Sequence, residues 1–165
     1  MTIERFRGAH LPFSNMYSLP VPIRADCDIW VPSSEHAYMA NRFSSLKVQK
    51  KIATARGESE SRHPCKDAIA ARQLAYKYIE KGEKLEVVAD EERVELMKRV
   101  VYQKVERNVG VRALLLSTGA EMIYEGNDWG DQFWGVSPPG SREGKNHLGQ
   151  ILMQLRNDFS YYGVQ

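Results

Sequence analysis

The sequence predicts an α+β fold, a single compact, mainly helical domain with a small β-sheet. Three observations carry this. Apolar residues recur every three or four positions through several stretches after residue 34, the period of a half-buried helix. Runs suited to strands are few and short. The first 33 residues are broken by Pro12, Pro20, Pro22 and Pro32, and proline is not tolerated in helix interiors.

Taken in order, residues 1–33 read as strands and loops, with Asp28-Ile29-Trp30-Val31 as a short strand because it is β-branched and aromatic. Ser34 is a plausible N-cap for a helix over 35–43, since its hydroxyl can accept from an orphan N–H of the first turn. That helix puts Tyr38 and Arg42 on one face and Ala37, Ala40 and Asn41 on another. A second helix over 46–56 ends at Gly57, the residue type that favours a left-handed C′ position. Pro64 opens a third that runs to Gly82, with Ala68, Ala71, Ala75, Tyr78 and Ile79 as its apolar stripe. A fourth spans 90–108 through Val94, Met97, Val101 and Val105. A short helix over 110–117 carries Leu114–Leu116 and stops at Gly119. Residues 120–145 are rich in glycine and proline around a short strand, Met122-Ile123-Tyr124. So long an irregular stretch in a compact domain is usually functional or disordered. The last helix, 146–160, buries Leu148, Ile151, Leu152, Leu155 and Phe159.

The 165 residues suit one domain over 1–165, large enough to bury a core without disulfides or metals. With 42% apolar and 27% charged residues, the chain is no disordered tail, collagen-like repeat or disulfide scaffold. A net charge of +2 does not demand a nucleic-acid partner. The start lacks an apolar signal core, no run is long enough to span a membrane, and Cys27 and Cys65 are too few for a framework. A soluble cytoplasmic protein with free thiols is the expectation, with no cofactor and no obligatory protein partner.

Three clusters could carry chemistry. Glu35 stands in the first turn of a helix, where the dipole favours a carboxylate; on a rigid element it could also serve as a general acid or base. His36 points elsewhere on that helix. The loop 125–135 holds Glu125, Asp128, Asp131, Trp129, Phe133 and Trp134. Carboxylates beside aromatics suit glycosidic-bond cleavage, one stabilising a cationic sugar or activating water and the other assisting the leaving group. The alternative is a loop folded back so that its tryptophans cap the core. Lys145 and Asn146, between Gly144 and Gly149 at a helix start, could bind an anion, or Asn146 could be only the N-cap. No P-loop, G-x-G-x-x-G, C-x-x-C or H-E-x-x-H occurs, and no metal site is expected.

In order, Pro12-Phe13-Ser14-Asn15-Met16-Tyr17, Ser34-Glu35-His36-Ala37-Tyr38-Met39-Ala40, Arg112–Gly119, Asp131-Gln132-Phe133-Trp134-Gly135 and Gly144-Lys145-Asn146-His147-Leu148-Gly149 resemble the segments of the YbiA/NADAR family. The resemblance spans most of the chain. It implies an α+β, mostly helical domain and hydrolysis of an N-glycosidic bond. Riboflavin-pathway ribosylamine phosphates and ADP-ribose on a base, including guanine in DNA, are the substrates it implies. It places the motif carboxylates on Glu35 and on Asp131 rather than Asp128, a choice that composition leaves open. It puts Trp134 at the motif tryptophan and Asn15 and Asn146 at pocket asparagines. Two departures stand out. Arg42 occupies a position that is usually lysine, and Val87–Asp90 lacks the tryptophan that often precedes the fourth helix. Trp129, on an apparent insertion, is a candidate replacement. The expectation is an N-glycoside hydrolase with Glu35 and Asp131 as catalytic carboxylates, Asn15 and Asn146 on ribose hydroxyls, Arg5, Arg7, Arg42 and Lys145 on phosphate, and Trp129, Phe133 and Trp134 against the base. A module that binds ADP-ribose without cleaving it would use the same pocket.

Overall fold

The computed structural model describes residues 1–162 as six α-helices, one 3-10 helix and four two-residue strands. The chain forms two compact units, Asn15–Arg107 and Met1–Ser14 with Asn108–Gln165. The helical character and minor sheet content agree with the fold class predicted from sequence.

In the Asn15–Arg107 unit, β2 (Ile23–Arg24) and β3 (Trp30–Val31) form an antiparallel hairpin in the register Ile23 to Val31. Asp28 was expected within the strand but sits at φ 65°. It belongs to the turn instead, where Asp28 N–H donates to Ala25 O and Ala25 N–H to Ile29 O. Helices α1 (Ser34–Asn41), α2 (Leu46–Ala53), α3 (Lys66–Glu80) and α4 (Asp90–Arg107) follow. All eight residues of α1 are buried, and α2, α3 and α4 each pack against it.

The α1 N-cap is Ser33, not Ser34. Ser33 has extended backbone, and its Oγ accepts from His36 N–H. Either serine suits a cap chemically, and only the backbone angle decides. Gly57 is not the C′ residue of α2, which ends at Ala53. A Cβ there would lie 2.8 Å from both Lys66 Cβ and Lys66 O. Its smallness serves a close backbone approach to the start of α3, where Gly57 N–H donates to Asp67 Oδ1. On α3, Ala68, Ala71 and Ala75 are buried, while Tyr78 and Ile79 are half-buried.

In the other unit, β1 (Thr2–Ile3) and β4 (Met122–Ile123) pair in parallel. Tyr124 N–H extends the ladder to Ile3 O. The 3-10 helix Gly8–Phe13 and α6 (His147–Tyr162) pack on α5 (Val109–Ser117), and α6 also packs on β4. Ile3, Phe13, Leu115, Ile123, Leu148 and Leu152 fill this core. Phe159 is half-buried rather than buried, with the Arg112 guanidinium 5.9 Å from its ring. Arg156 is buried in α6 and donates to Thr118 Oγ1 and Glu121 O, closing the end of α5.

His36 shows how tightly α1 is held. Its Nε2 donates to Ala55 O at 2.9 Å, and its Nδ1 lies 2.7 Å from Ser33 Oγ. The neutral ring protonated at Nε2 satisfies both. Burial holds its pKa below the ordinary 6.5, outweighing the favourable pull of Ala55 O. The unfolded chain therefore takes up a proton here at a higher pH than the folded chain. Stability is expected to fall as pH drops from 7 through 6.5 toward the lower folded value. In pH-resolved urea unfolding, His36→Gln should flatten that slope; an unchanged slope would remove His36 as its source.

Gly149 offers a second check. A Cβ there would meet Ile123 O, with Asn146 Nδ2 and Oδ1 also too close. Gly149→Ala must push α6 off β4, at a cost of about 1–3 kcal/mol as overpacking generally exacts. Urea unfolding reads this directly, and a wild-type midpoint would contradict it.

Candidate active site

Glu35 lies in the first turn of α1. Its backbone N–H, one of the donors a helix start leaves unsatisfied, goes to Asn15 O at 3.0 Å. The loop bearing Asn15 is thereby tied to the carboxylate's own residue. The side chain is only 3% exposed, and Oε1 accepts from Arg72 Nε at 2.9 Å. A buried carboxylate needs such a partner, because desolvation without one is severe.

Two polar atoms on residues adjoining Glu35 through the backbone are unspent. Asn15 Oδ1 and Ser34 Oγ are buried and have no hydrogen-bond partner, in residues only 7% and 1% exposed. Asn15 Nδ2 faces Met97 Sδ at 3.5 Å, a weak acceptor. Buried unpaired polar atoms are rare and cost about 1–3 kcal/mol each. Two of them, one on the residue before the glutamate and one on the residue whose carbonyl takes its N–H, point to a ligand.

Further along α1, Tyr38 and Arg42 follow Glu35 at i+3 and i+7, so they share its side of the helix. Tyr38 Oη accepts from Arg93 Nε at 3.1 Å. Burial pushes its pKa up, against the opposing effect of the Arg93 hydrogen bond. Arg42 lies 5.7 Å over the Tyr38 ring and donates to Val87 O. A carboxylate, a phenol and the guanidinium groups of Arg42, Arg72 and Arg93 thus line one region of the unit. That set can hold an anionic ligand and place negative charge near a developing cation.

The second cluster belongs to the other unit. Asn127 is buried and closes the loop's neck. Its Nδ2 donates to Asp131 O and Val136 O, and its Oδ1 accepts from Asp131 N–H. Asp131 Oδ1 accepts from Phe133 N–H at 3.0 Å and Trp134 N–H at 2.9 Å, so one carboxylate oxygen fixes the turn ahead of the aromatics. Phe133 meets Trp134 and His147 edge-on, each at 4.7 Å, and Lys145 Nζ lies 5.7 Å from the Phe133 ring. Trp129 stands apart and is 65% exposed. The loop is therefore folded back at Phe133 and Trp134 and projects at Trp129. Asn146, at φ 50°, spends its amide on β4 and the chain just after it: Nδ2 donates to Ile123 O and Oδ1 accepts from Glu125 N–H.

Within Asn15–Arg107 the structure brings Glu35 and Asn15 together and adds Arg42 two turns along. Within the other unit it gathers Phe133, Trp134 and Lys145, with Asp131 heading their turn. Sequence reasoning missed Arg72, Ser34, Tyr38 and Arg93 as site residues. Arg72 did leave a signal, an arginine one position from Ala71 and at i+4 from Ala68 on the buried side of α3. Among the described residues, no group of three His, Cys, Asp or Glu could hold a metal. Cys27 and Cys65 are buried free thiols. Burial pushes the Cys65 pKa up, which disfavours a nucleophilic thiolate. No described helix is long and apolar enough to cross a membrane.

Comparison with known proteins agrees with this architecture. The chain is 31% identical over 147 residues to a riboflavin biosynthesis protein of Vibrio vulnificus, covering 88% of this chain and 34% of that protein. It thus spans about a third of that relative. It is 30% identical over 148 residues to the N-glycosidase YbiA of Shigella boydii, covering 90% of this chain and 81% of YbiA. The NMR structure of Escherichia coli YbiA superimposes with a TM-score of 0.77 at 24% identity, over 99% of this chain and 88% of that one. The NADAR domain model matches residues 5–160. The chain belongs to the NADAR domain family.

Proposed function

We propose that the protein is an N-glycosidase that hydrolyses the C1–N bond of a phosphorylated ribosyl or ADP-ribosyl compound, with Glu35 as a catalytic carboxylate. The observation that carries this reading is the buried Glu35 carboxylate held by Arg72, with unpartnered Asn15 Oδ1 and Ser34 Oγ on the two residues that adjoin Glu35 through the backbone. The N-glycosidase name of the YbiA relatives supports the reaction class. The riboflavin biosynthesis name of the Vibrio relative supports a ribosylamine phosphate as one substrate. ADP-ribosylated guanine in DNA is the other substrate of the same bond type.

The C1–N bond breaks with its electron pair leaving on nitrogen, and positive charge builds on the ribose. Glu35 faces that charge. Water adds its oxygen to C1, one of its protons is lost, and a proton ends on the departing nitrogen. Arg72 is a positioning residue: it fixes Oε1 and so aims Oε2. Asn15 Oδ1 and Ser34 Oγ take the ribose hydroxyls, and Arg42 and Arg93 offset phosphate charge. Asp131 is the proposed second carboxylate, through the oxygen not used by its turn. Trp134, Phe133 and Lys145 are proposed substrate contacts.

Glu35→Gln keeps the shape and an acceptor for Arg72. It is expected to lower kcat at least about 100-fold, the usual span for a lost acid–base or charge-stabilising group, with substrate binding kept. Product analysis by mass spectrometry on a ribosylamine phosphate and on an ADP-ribosylated guanine oligonucleotide reads this. Full activity in the variant would sink the role of Glu35, and wild-type binding without product would make the protein a binding module. For Asp131, the turn and the chemistry separate in a pair of variants. Asp131→Asn retains the acceptor for Phe133 and Trp134 N–H, so it should unfold at the wild-type temperature yet lose about 100-fold in kcat. Asp131→Ala should lose both. An active Asp131→Asn enzyme would confine Asp131 to the turn.

A further inference from the structure

The steps proposed above leave three residues unassigned that the sequence places on base and phosphate: Trp129 at the tip of the 125–135 loop, and Arg5 and Arg7 against its neighbour Asp128. Asn127 closes the neck through Asp131, so Asp128, Trp129 and Gly130 project as a three-residue tip, with Gly130 at φ 82°. Trp129 is 65% exposed and makes no ring contact among the described residues. An exposed indole on an anchored neck offers a flat aromatic face to a ligand. Beside it, Asp128 lies between two guanidiniums, 3.3 Å from Arg5 Nη2 and 3.9 Å from Arg7 Nη2. Side-chain exposures are 36% for Arg5, 67% for Arg7 and 56% for Asp128. These long, solvated contacts contribute little. The neighbouring Glu4–Arg142 pair differs: both guanidinium nitrogens reach the carboxylate at 3.0 Å, and Arg142 also lies 3.9 Å over the Tyr124 ring. Arg142 is committed, whereas Arg5 and Arg7 hold their carboxylate loosely.

We propose that Arg5 and Arg7 form an anion site which Asp128 occupies as an internal counter-ion, and that Trp129 supplies a stacking face beside it. The ligand this fits carries a planar heteroaromatic ring next to a phosphate, as a nucleotide does. Phosphate offers more charge and more acceptor oxygens than Asp128, so it displaces the carboxylate from the two guanidiniums. The ring stacks on Trp129. Asp128 thereby sets a threshold for occupying the two guanidiniums, which an uncharged ring stacked on Trp129 alone does not do. Only the identification of this ligand as part of the substrate rests on the glycosidase reading; the site itself does not.

Calorimetric titration of the full chain at low ionic strength tests it, with ADP, adenosine, pyrophosphate and a short dA oligonucleotide as probes. ADP should bind more tightly than adenosine. Arg5→Gln with Arg7→Gln should weaken ADP about tenfold or more and leave adenosine unchanged. Trp129→Leu should weaken ADP and adenosine but spare pyrophosphate. Asp128→Asn should strengthen ADP and pyrophosphate several-fold, which a surface ion pair with no site beneath it would not do. The oligonucleotide arm separates a free nucleotide from a nucleic-acid strand as the source of the ligand. Absent ADP binding, or an Asp128→Asn variant that binds ADP no better than wild type, overturns the proposal. Glu35→Gln should bind ADP like wild type, so a failed glycosidase reading and a failed tip site give different results.

Discussion

Helix α1 is eight residues long, and none of its residues is exposed. Five of them carry polar side chains that burial would penalise without partners, and all but Ser34 have one: Glu35, His36, Tyr38 and Asn41. Each has one on a different element. Glu35 takes Arg72 from α3, and His36 takes Ala55 O after α2. Tyr38 takes Arg93 from α4, and Asn41 accepts Asp26 N–H from the hairpin turn. The arrangement of the Asn15–Arg107 unit follows from that demand. A more apolar α1 would have been easier to bury, but it would leave α2, α3, α4 and the hairpin without directional contacts to fix their places around it.

The same constraint distinguishes the groups that hold the fold from those left over. Ser33 spends its hydroxyl on His36, both as cap and as ring partner. Ser34, one residue on, is equally buried and has no partner for its hydroxyl. Asn15 gives its backbone carbonyl to Glu35 and leaves its side-chain carbonyl unpaired. A unit that satisfies four buried polar side chains with such economy has no packing reason to strand two more atoms on residues that adjoin Glu35 through the backbone. The stranded atoms are where ligand binding would return energy that folding has forgone, which ties the candidate site to the same accounting as the core.

The sequence made legible what is periodic or local. Helices α3, α4 and α6 bury one stripe, and a spacing of three to four residues found them to within about two residues at each end. Helix α1 has no stripe, because every face is buried, so its existence rested on Ser34 and its register was off by one cap residue. Gly57 was misread because a left-handed turn and a close approach to Lys66 ask for the same residue. The Glu35–Arg72 pair joins positions 37 apart, and nothing local in either segment announces the other. Asp128 and Asp131 were indistinguishable by composition; the structure gives them different surroundings, one between two arginines and the other at the head of a turn.

The irregular stretch 120–145 obeys the logic of α1 in the absence of a helix. With few ladder bonds available, side-chain amides replace them. Asn127 bonds the backbone at Asp131 and Val136, and Asn146 bonds it at Ile123 and Glu125. Each has a donor and an acceptor on one planar group, which is what lets a single residue clamp two strands of chain. Asn146 stood among the expected ribose contacts, but both ends of its amide already serve the backbone. A loop held by amides rather than by an apolar face can turn its aromatics in different directions. Phe133 and Trp134 turn inward against His147, and Trp129 turns outward. The length of this segment is thus the consequence of holding a non-helical, non-strand shape rigid enough to present particular side chains, and not a failure to form regular structure.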